Sequence, residues 1–261
     1  MIPAMGRSSL SLSAIEKRLR SQAGSSLSAP DAASGAEEGR VGKAIGQRAS
    51  RASARAATTG KGQAGGGAPV RVAGQVRIVG GAWRRRLLPV ASGPGVPAGL
   101  RPTPDRVRET LFNWLGQDLG GWRCFDAFAG TGALGFEAAS RGAAQVRMVE
   151  QDAGLAQQLE RLTQHLKAEG VHVQRGDGIA ALTQGAANYW HAVFIDPPFT
   201  MEALFAPAVK AAAHAVADDG FVYLEAPKAW TDAELAEFGL QQYRYLKAGN
   251  VHAHLLKKIG T

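Results

Sequence analysis

From Trp122 onward, two kinds of apolar run alternate along the chain. Short, nearly continuous runs read as buried strands: "CFDAF" (124–128), "QVRMVE" (145–150), "VHVQRGD" (171–177), "AVFID" (192–196) and "FVYLEAP" (221–227). Between them lie segments with helical spacing. "ALGFEAASR" (133–141) is stopped by Gly142, and "DAGLAQQLERLTQHLKAEG" (152–170) carries the stripe Leu155, Leu159, Leu162 and Leu166 behind an Asp152 cap. "GIAALTQG" (178–185) and a stretch from about Glu202 to Ala217 complete the set. Strand–helix alternation of this kind predicts an α/β domain with a mostly parallel sheet covered on both faces. The final "QQYRYLKAGNVHAHLLKK" (241–258) reads as two strands joined at Gly249-Asn250, an antiparallel hairpin that brings the expected sheet to seven strands. Upstream, "VRIVGGAWRRRLLPV" (76–90) suggests a small β-hairpin turning at Gly80-Gly81. A Gly/Pro loop follows, and then a helix over "TPDRVRETLFNWL" (103–115), with Thr103 as N-cap, Pro104 at the first helical position, and a buried stripe of Val107, Leu111, Trp114 and Leu115.

Composition divides the chain further. Residues 1–70 are rich in Ala, Gly, Ser and Arg and poor in aromatics, which predicts a disordered basic tail with at most a short helix near 14–20. Residues 71–100 form the expected hairpin and loop, and 101–261 the main domain. The net charge of +8 is unevenly spread: +6 over 1–70, +7 over 71–108 and −5 over 109–261. A basic front on an acidic body suggests a polyanion docked at one end. No apolar run approaches the roughly 18 residues of a membrane span. The single cysteine, Cys124, excludes an internal disulfide and fits a reducing, cytoplasmic setting, with an inert buried thiol the simplest expectation. His252 and His254 share a predicted strand, but no Cys/His cluster has ligand spacing, so no metal is expected. No surplus apolar face calls for a second subunit, so the chain is expected to be a monomer.

Two stretches carry the chemistry. "GTGALG" (130–135) follows a strand and opens a helix, and it matches G-x-G-x-x-G. By itself it suits either a pyrophosphate, as in a nicotinamide-dependent dehydrogenase, or the amino-acid part of S-adenosyl-L-methionine (SAM). Glu150, ending the next strand, can bind ribose hydroxyls in both readings. Asp126, ending the strand before the loop, suits a ligand ammonium and is awkward beside pyrophosphate. Asp177 in "RGDG" is equally a helix cap and an acceptor for an adenine amino group. The second stretch is "HAVFIDPPFT" (191–200). Its two prolines form a stiff corner that holds Asp196 and Phe199 at a strand's carboxyl end.

"FDAFAGTGALGFEA", "RMVEQD", "RGDG" and "VFIDPPF" together resemble the ordered motifs of SAM-dependent amino-methyltransferases of the D/N-P-P-Y/F type. "VRIVGGAWRRRLLPV" with "GLRPTPDRVRETLFNWL" narrows the likeness to the RsmD-type methyltransferases, which modify the N2 amine of one guanine in 16S rRNA. The likeness covers about 74–258 and leaves the tail outside. It implies a Rossmann-like SAM-dependent methyltransferase fold. It also implies Asp126, Gly130, Gly132, Glu150 and Asp177 around the cofactor, and Asp196, Pro197 and Phe199 around the target base. The expected partner is 16S rRNA, within a partly assembled small ribosomal subunit. Arg84, Arg85, Arg86, Arg101, Arg106 and Arg108, with Thr103, are the candidate RNA contacts. Three adjacent arginines on an extended strand would alternate faces, so at least one of Arg84–Arg86 should miss the RNA or pair internally. Arg101 and Thr103 are alternatively placed in the active site. The competing readings are an adenine-N6 DNA methyltransferase, which uses the same D-P-P-F corner, then an NAD-dependent dehydrogenase, and last a non-catalytic RNA-binding module.

Overall fold

The computed structural model describes residues 71–92 and 103–260. The expected tail (1–70), most of the Gly/Pro loop and Arg101 lie outside the described residues. Nine strands and six α-helices are built from the rest in the order β1 (Arg71–Arg77), β2 (Leu87–Ser92), α1 (Asp105–Trp114), β3 (Arg123–Asp126), α2 (Ala133–Ser140), β4 (Gln145–Glu150), α3 (Ala153–Leu166), β5 (Val171–Arg175), α4 (Gly178–Thr183), β6 (Trp190–Ile195), a 3-10 turn (Glu202–Leu204), α5 (Phe205–Ala215), β7 (Val216–Ala226), α6 (Asp232–Ala236), β8 (Leu240–Ala248) and β9 (Val251–Lys258).

Seven strands form one sheet in the order β5-β4-β3-β6-β7-β9-β8. The first five are parallel, and β8 and β9 add the antiparallel end expected from the C-terminal hairpin. Alternation along each strand divides the core between the two faces. Cys124 and Phe194 point to one side with Leu111, Phe112, Phe136, Leu159 and Leu162, while Phe125, Val193 and Ile195 point to the other with Leu182, Phe205, Val209 and Leu235. Helices α1, α2 and α3 therefore cover one face, and α4, α5 and α6 the other. Cys124 is fully buried, and burial pushes its thiol far above the usual range, which makes it an inert core residue.

The local signals set most element ends. The Asp152 side chain accepts the Leu155 amide at 2.8 Å and opens α3, whose four stripe leucines are all buried. Gly142, at φ 93°, ends α2 in the left-handed region that glycine tolerates best. Helix α1 differs from expectation. It begins at Asp105, and no side chain caps it. Thr103 is one residue too early for that role, and its hydroxyl turns instead toward Asp196.

The N-terminal hairpin also differs. Arg77 pairs with Leu87, so the strands do not meet at Gly80-Gly81 but are joined by a longer loop, 78–86. The glycines serve docking. A Cβ on Gly81 would lie 1.8 Å from the Ser140 carbonyl oxygen, and Gly80 would run into the Arg141 guanidinium. With only hydrogens there, the loop lies against the end of α2. The Ala82 amide donates to Ser140 O at 2.7 Å, the Trp83 amide to Ser140 Oγ at 2.9 Å, and that hydroxyl donates to Gly80 O at 2.6 Å. Arg84, Arg85 and Arg86 consequently sit in a turn, with Arg85 at φ 71°, and all three are exposed. The expected strand alternation, with one arginine turned inward, does not occur.

Candidate active site

Strands β3 and β6 are neighbours, and the connection leaving the carboxyl end of β3 runs to β4 on one side while that leaving β6 runs to β7 on the other. In open α/β sheets a crevice opens at this reversal point. Two of the predicted acids meet there. Asp126 closes β3 opposite Phe194 of β6, and Asp196 follows two residues beyond Phe194.

Asp126 is 2% exposed. Its Oδ2 accepts the Gly135 amide at 3.1 Å, while Oδ1 has no hydrogen-bond partner. Burial raises its pKa to about 7, against the opposing pull of the Gly135 and Phe128 amides, and the Glu150 charge adds to the rise. A buried carboxylate oxygen with no donor is costly unless a ligand supplies one. The glycine loop beside it is built for close approach. Gly130 and Gly132 have φ 51° and 77°, and a Cβ on Gly132 would press within 2.6 Å of Phe136 and Leu159. Glu150 braces this loop, accepting the Gly130 amide through Oε2 and the Asp152 amide through Oε1, each at 2.8 Å. Gly178 belongs to the same rim, since a Cβ there would lie 1.9 Å from the Ala127 carbonyl oxygen. The residues present therefore fit a ligand that brings an ammonium to Asp126 and hydroxyls to Glu150, as SAM does. A pyrophosphate would meet Asp126 instead of a donor.

Asp177 is the cap of α4. Its Oδ1 accepts the Ile179 and Ala180 amides at 2.8 and 3.1 Å. It is exposed, and both of these bonds fall on one oxygen.

In the D-P-P-F corner, Asp196 keeps partial solvent access and Pro197 is buried. The Pro198 carbonyl takes the Met201 amide at 2.9 Å, whereas the Pro197 carbonyl accepts no backbone hydrogen bond from the described residues. Phe199 is half-buried and packs against the core that α5 covers. Burial, with Glu225 and then Asp126 close by, holds the Asp196 carboxyl well above the usual carboxylate range, and the Thr103 hydroxyl, at 3.5 Å from Oδ2, opposes this.

The proposed RNA contacts separate into two groups. Arg84, Arg85, Arg86 and Arg106 are exposed. Arg108 is fully buried and is removed from that set. Its guanidinium donates to Thr103 O at 3.1 Å, to Arg77 O at 2.8 Å and to Glu137 at 3.2 Å, and it also pairs with Asp105. Glu137, itself buried, takes the Val79 amide at 2.9 Å and the Arg141 guanidinium at 2.9 Å. The pair thus ties the arginine-bearing loop to α1 and α2. Thr103 is likewise buried, and it belongs to the Asp196 corner, the second of its two expected placements.

A cavity of about 290 Å³ opens elsewhere, walled by Phe205, Trp230 and Phe238 with Glu202, Lys228 and Glu237 at its edge, and none of the motif residues lines it. Among the described residues no group of three or more His, Cys, Asp or Glu is arranged to hold a metal ion, and no helix is long and apolar enough to cross a membrane.

The family model described as "Conserved hypothetical protein 95" matches residues 76–257. The chain belongs to that family. The curated Ribosomal RNA small subunit methyltransferase D of Escherichia coli K12 is 48% identical over 126 residues, which are 48% of this chain and 61% of that protein. The protein of the same name from Haemophilus influenzae is 46% identical over 129 residues, 48% of this chain and 65% of that one. These alignments span somewhat less than two thirds of the curated relatives. Among solved structures, yhhF from Escherichia coli superposes with a TM-score of 0.60 at 38% identity, over 71% of this chain and 98% of that chain. TrmN from Thermus thermophilus, at 19% identity and a TM-score of 0.51, shows the shared fold alone. The family is the one that the motifs resembled, and the α/β fold is that of its members.

The sequence reading missed Glu137, Tyr223 and Glu225. For Glu225 the signal was present: an acid at the carboxyl end of a strand, the same mark that singled out Asp126, Glu150 and Asp196.

Proposed function

We propose that the protein transfers a methyl group from SAM to the exocyclic N2 amine of a guanine in 16S rRNA of the small ribosomal subunit. The observation that carries this reading is the partnerless buried oxygen of Asp126 beside the glycine loop, one strand away from the D-P-P-F corner. The curated relatives named above support rRNA as the substrate class.

When bound, SAM supplies an electrophilic methyl group on a sulfonium. The protein's task lies on the other reactant. An exocyclic amine is a weak nucleophile because its lone pair is delocalised into the base. Asp196 accepts one N–H and the Pro197 carbonyl the other, which turns the lone pair out of the ring plane. The rigid proline corner fixes both acceptors before the base arrives, so the contribution is positioning and preorganised polarity. Phe199 offers a ring face to the base once it is flipped from its stack, worth about 1–3 kcal/mol. Asp126, Gly130 and Gly132 take the amino-acid end of SAM, Glu150 the ribose hydroxyls, and Asp177 the adenine amino group. Arg84, Arg85, Arg86 and Arg106 hold phosphates.

The test is mass mapping of 16S rRNA from cells with the gene, without it, and complemented by Asp196→Ala. One methylated guanine should disappear with the gene and fail to return with the variant, while SAM binding by the variant stays nearly intact. Near-normal methylation by Asp196→Ala refutes the assignment.

A further inference from the structure

At the carboxyl ends of β6 and β7 two acids stand level with each other. Ile195 pairs with Leu224 in parallel register, and each is followed by a carboxylic acid, Asp196 and Glu225. Neighbouring strands run about 4.8 Å apart, so the two side chains leave the sheet side by side. Glu225 is 3% exposed, and the transfer chemistry above gives it no task. Its Oε1 accepts the Tyr223 hydroxyl at 2.8 Å. The Thr103 hydroxyl lies 3.5 Å from Asp196 Oδ2, and it also helps to hold down the pKa of Glu225. A threonine hydroxyl has one proton and donates to one oxygen at a time. Were both acids ionised, two like charges would stand side by side, and whenever that hydroxyl turned to Glu225 the Asp196 carboxylate would lose the donor it has, an arrangement that neighbouring carboxylates resist by keeping one proton.

The other groups facing the pair decide where the charge rests. Asp126 on β3 faces Asp196 and disfavours its ionisation. Burial raises the Glu225 pKa, and the Tyr223 and Thr103 hydroxyls and the Arg108 charge oppose that rise; the Tyr223 hydroxyl, kept neutral by burial and by Glu225 itself, donates to it at 2.8 Å. Glu225 thus has the Arg108 charge and the Tyr223 donor at 2.8 Å, whereas Asp196 has only the Thr103 hydroxyl, 3.5 Å away.

We propose that Glu225 is a positioning residue of the transfer site, sharing one proton with Asp196 through Thr103 and holding that proton on Asp196 until the target amine arrives. The proton sharing stands on the geometry of the corner, and only its use in transfer rests on the function proposed above. In that use, the amine nitrogen forms its bond to the methyl carbon as the carbon–sulfur bond breaks, and the positive charge passes from sulfur to nitrogen. The nitrogen then sheds one proton to Asp196, whose own proton moves through the Thr103 hydroxyl to Glu225. The pair ends doubly protonated and the base neutral, and the extra proton leaves to solvent after product release.

The test is carboxyl-region infrared difference titration of the free protein from about pH 4 to about pH 9, with Asp196→Asn to assign the bands. Wild type should show an Asp196 carboxyl that ionises late. In Glu225→Gln, which keeps an acceptor for Tyr223 but removes the charge, that step should fall by about one pH unit or more. In Thr103→Val, which removes the bridging donor, it should rise. Thermal unfolding checks that each variant is folded, and the pH dependence of kcat should change in Glu225→Gln while SAM affinity holds. If neither variant moves the Asp196 step, the proposal falls. If wild type shows the late step and Glu225→Gln lowers it, yet no variant or wild type methylates 16S rRNA, the proton-sharing pair stands and the proposed function is overturned.

Discussion

Replacing Arg108 with methionine tests whether this arginine is part of the scaffold or of an RNA surface. Its guanidinium is wholly buried and serves four groups: the carbonyls of Thr103 and Arg77, and the carboxylates of Asp105 and Glu137. Methionine fills most of the space but donates nothing. Glu137 would then keep only Arg141 and the Val79 amide, and the two carbonyls would lose a charged donor. Removing one partner of a buried ion pair costs about 3–5 kcal/mol, because the other charge stays behind in a medium that cannot solvate it. For a domain of this size each kcal/mol lowers Tm by about 2–4 °C, so the fall should be roughly 6–20 °C. Thermal unfolding reads that fall, and urea unfolding reads the free energy, separating a change in midpoint from a change in slope. Arg84→Ala is the control: an exposed arginine on a turn should stay within about 0.5 kcal/mol of wild type. If Arg108→Met left the unfolding midpoint unchanged and weakened RNA binding, the buried network would be wrong and Arg108 would return to the RNA contacts.

Asp126 gives a pH dependence with a definite sign. Its folded pKa, about 7, lies above the ordinary carboxylate value, so the ligand-free protein draws stability from it at low pH and loses it as pH rises through about 7. A ligand ammonium needs the ionised form, so SAM affinity should strengthen between about pH 6 and pH 8, and Asp126→Asn should flatten that dependence; calorimetry showing the same slope in both proteins would rule this out. Glu150→Ala should weaken SAM binding by about 1–3 kcal/mol, part of it from the loss of the Gly130 brace, read by the same calorimetry. Changing Arg84, Arg85 and Arg86 together to alanine should reduce the slope of log affinity against log salt by about 0.7–0.9 for each phosphate that these side chains neutralise, measured by filter binding to a 16S rRNA fragment. An unchanged slope would move the docking surface elsewhere.

The sheet was legible because burial on both faces leaves a continuous apolar run and burial on one face leaves a helical stripe, and neither pattern needs a partner to be recognised. Hence β4 was delimited from sequence to the residue, and α3 within its capped, leucine-striped segment. What failed were positions whose meaning depends on a distant element. Gly80-Gly81 looks like a turn until the end of α2 is set against it. Arg108 looks like its exposed neighbours until Glu137, on another helix, supplies the countercharge that permits burial. Thr103 is a sound cap by type, and only the fold brings it to Asp196.

The same distinction explains why the candidate site was easier to find than to complete. Parallel strands point their carboxyl ends one way, so an acid at the end of each run lands on one rim whatever the helices do. Asp126, Glu150 and Asp196 could be placed by that rule alone, and Glu225, ending β7, obeys it equally. What the rule cannot give is the level at which adjacent acids stand, which depends on strand register. Here the register of β6 and β7 sets Asp196 and Glu225 level with each other, with the Thr103 hydroxyl, just ahead of α1, beside Asp196. That start is held by Arg108, whose guanidinium binds the Thr103 carbonyl with one nitrogen and the Arg77 carbonyl of the basic hairpin with another. A single buried side chain therefore joins the arginine-bearing loop to the acid corner, and a shift of that loop reaches the Thr103 hydroxyl through two hydrogen bonds.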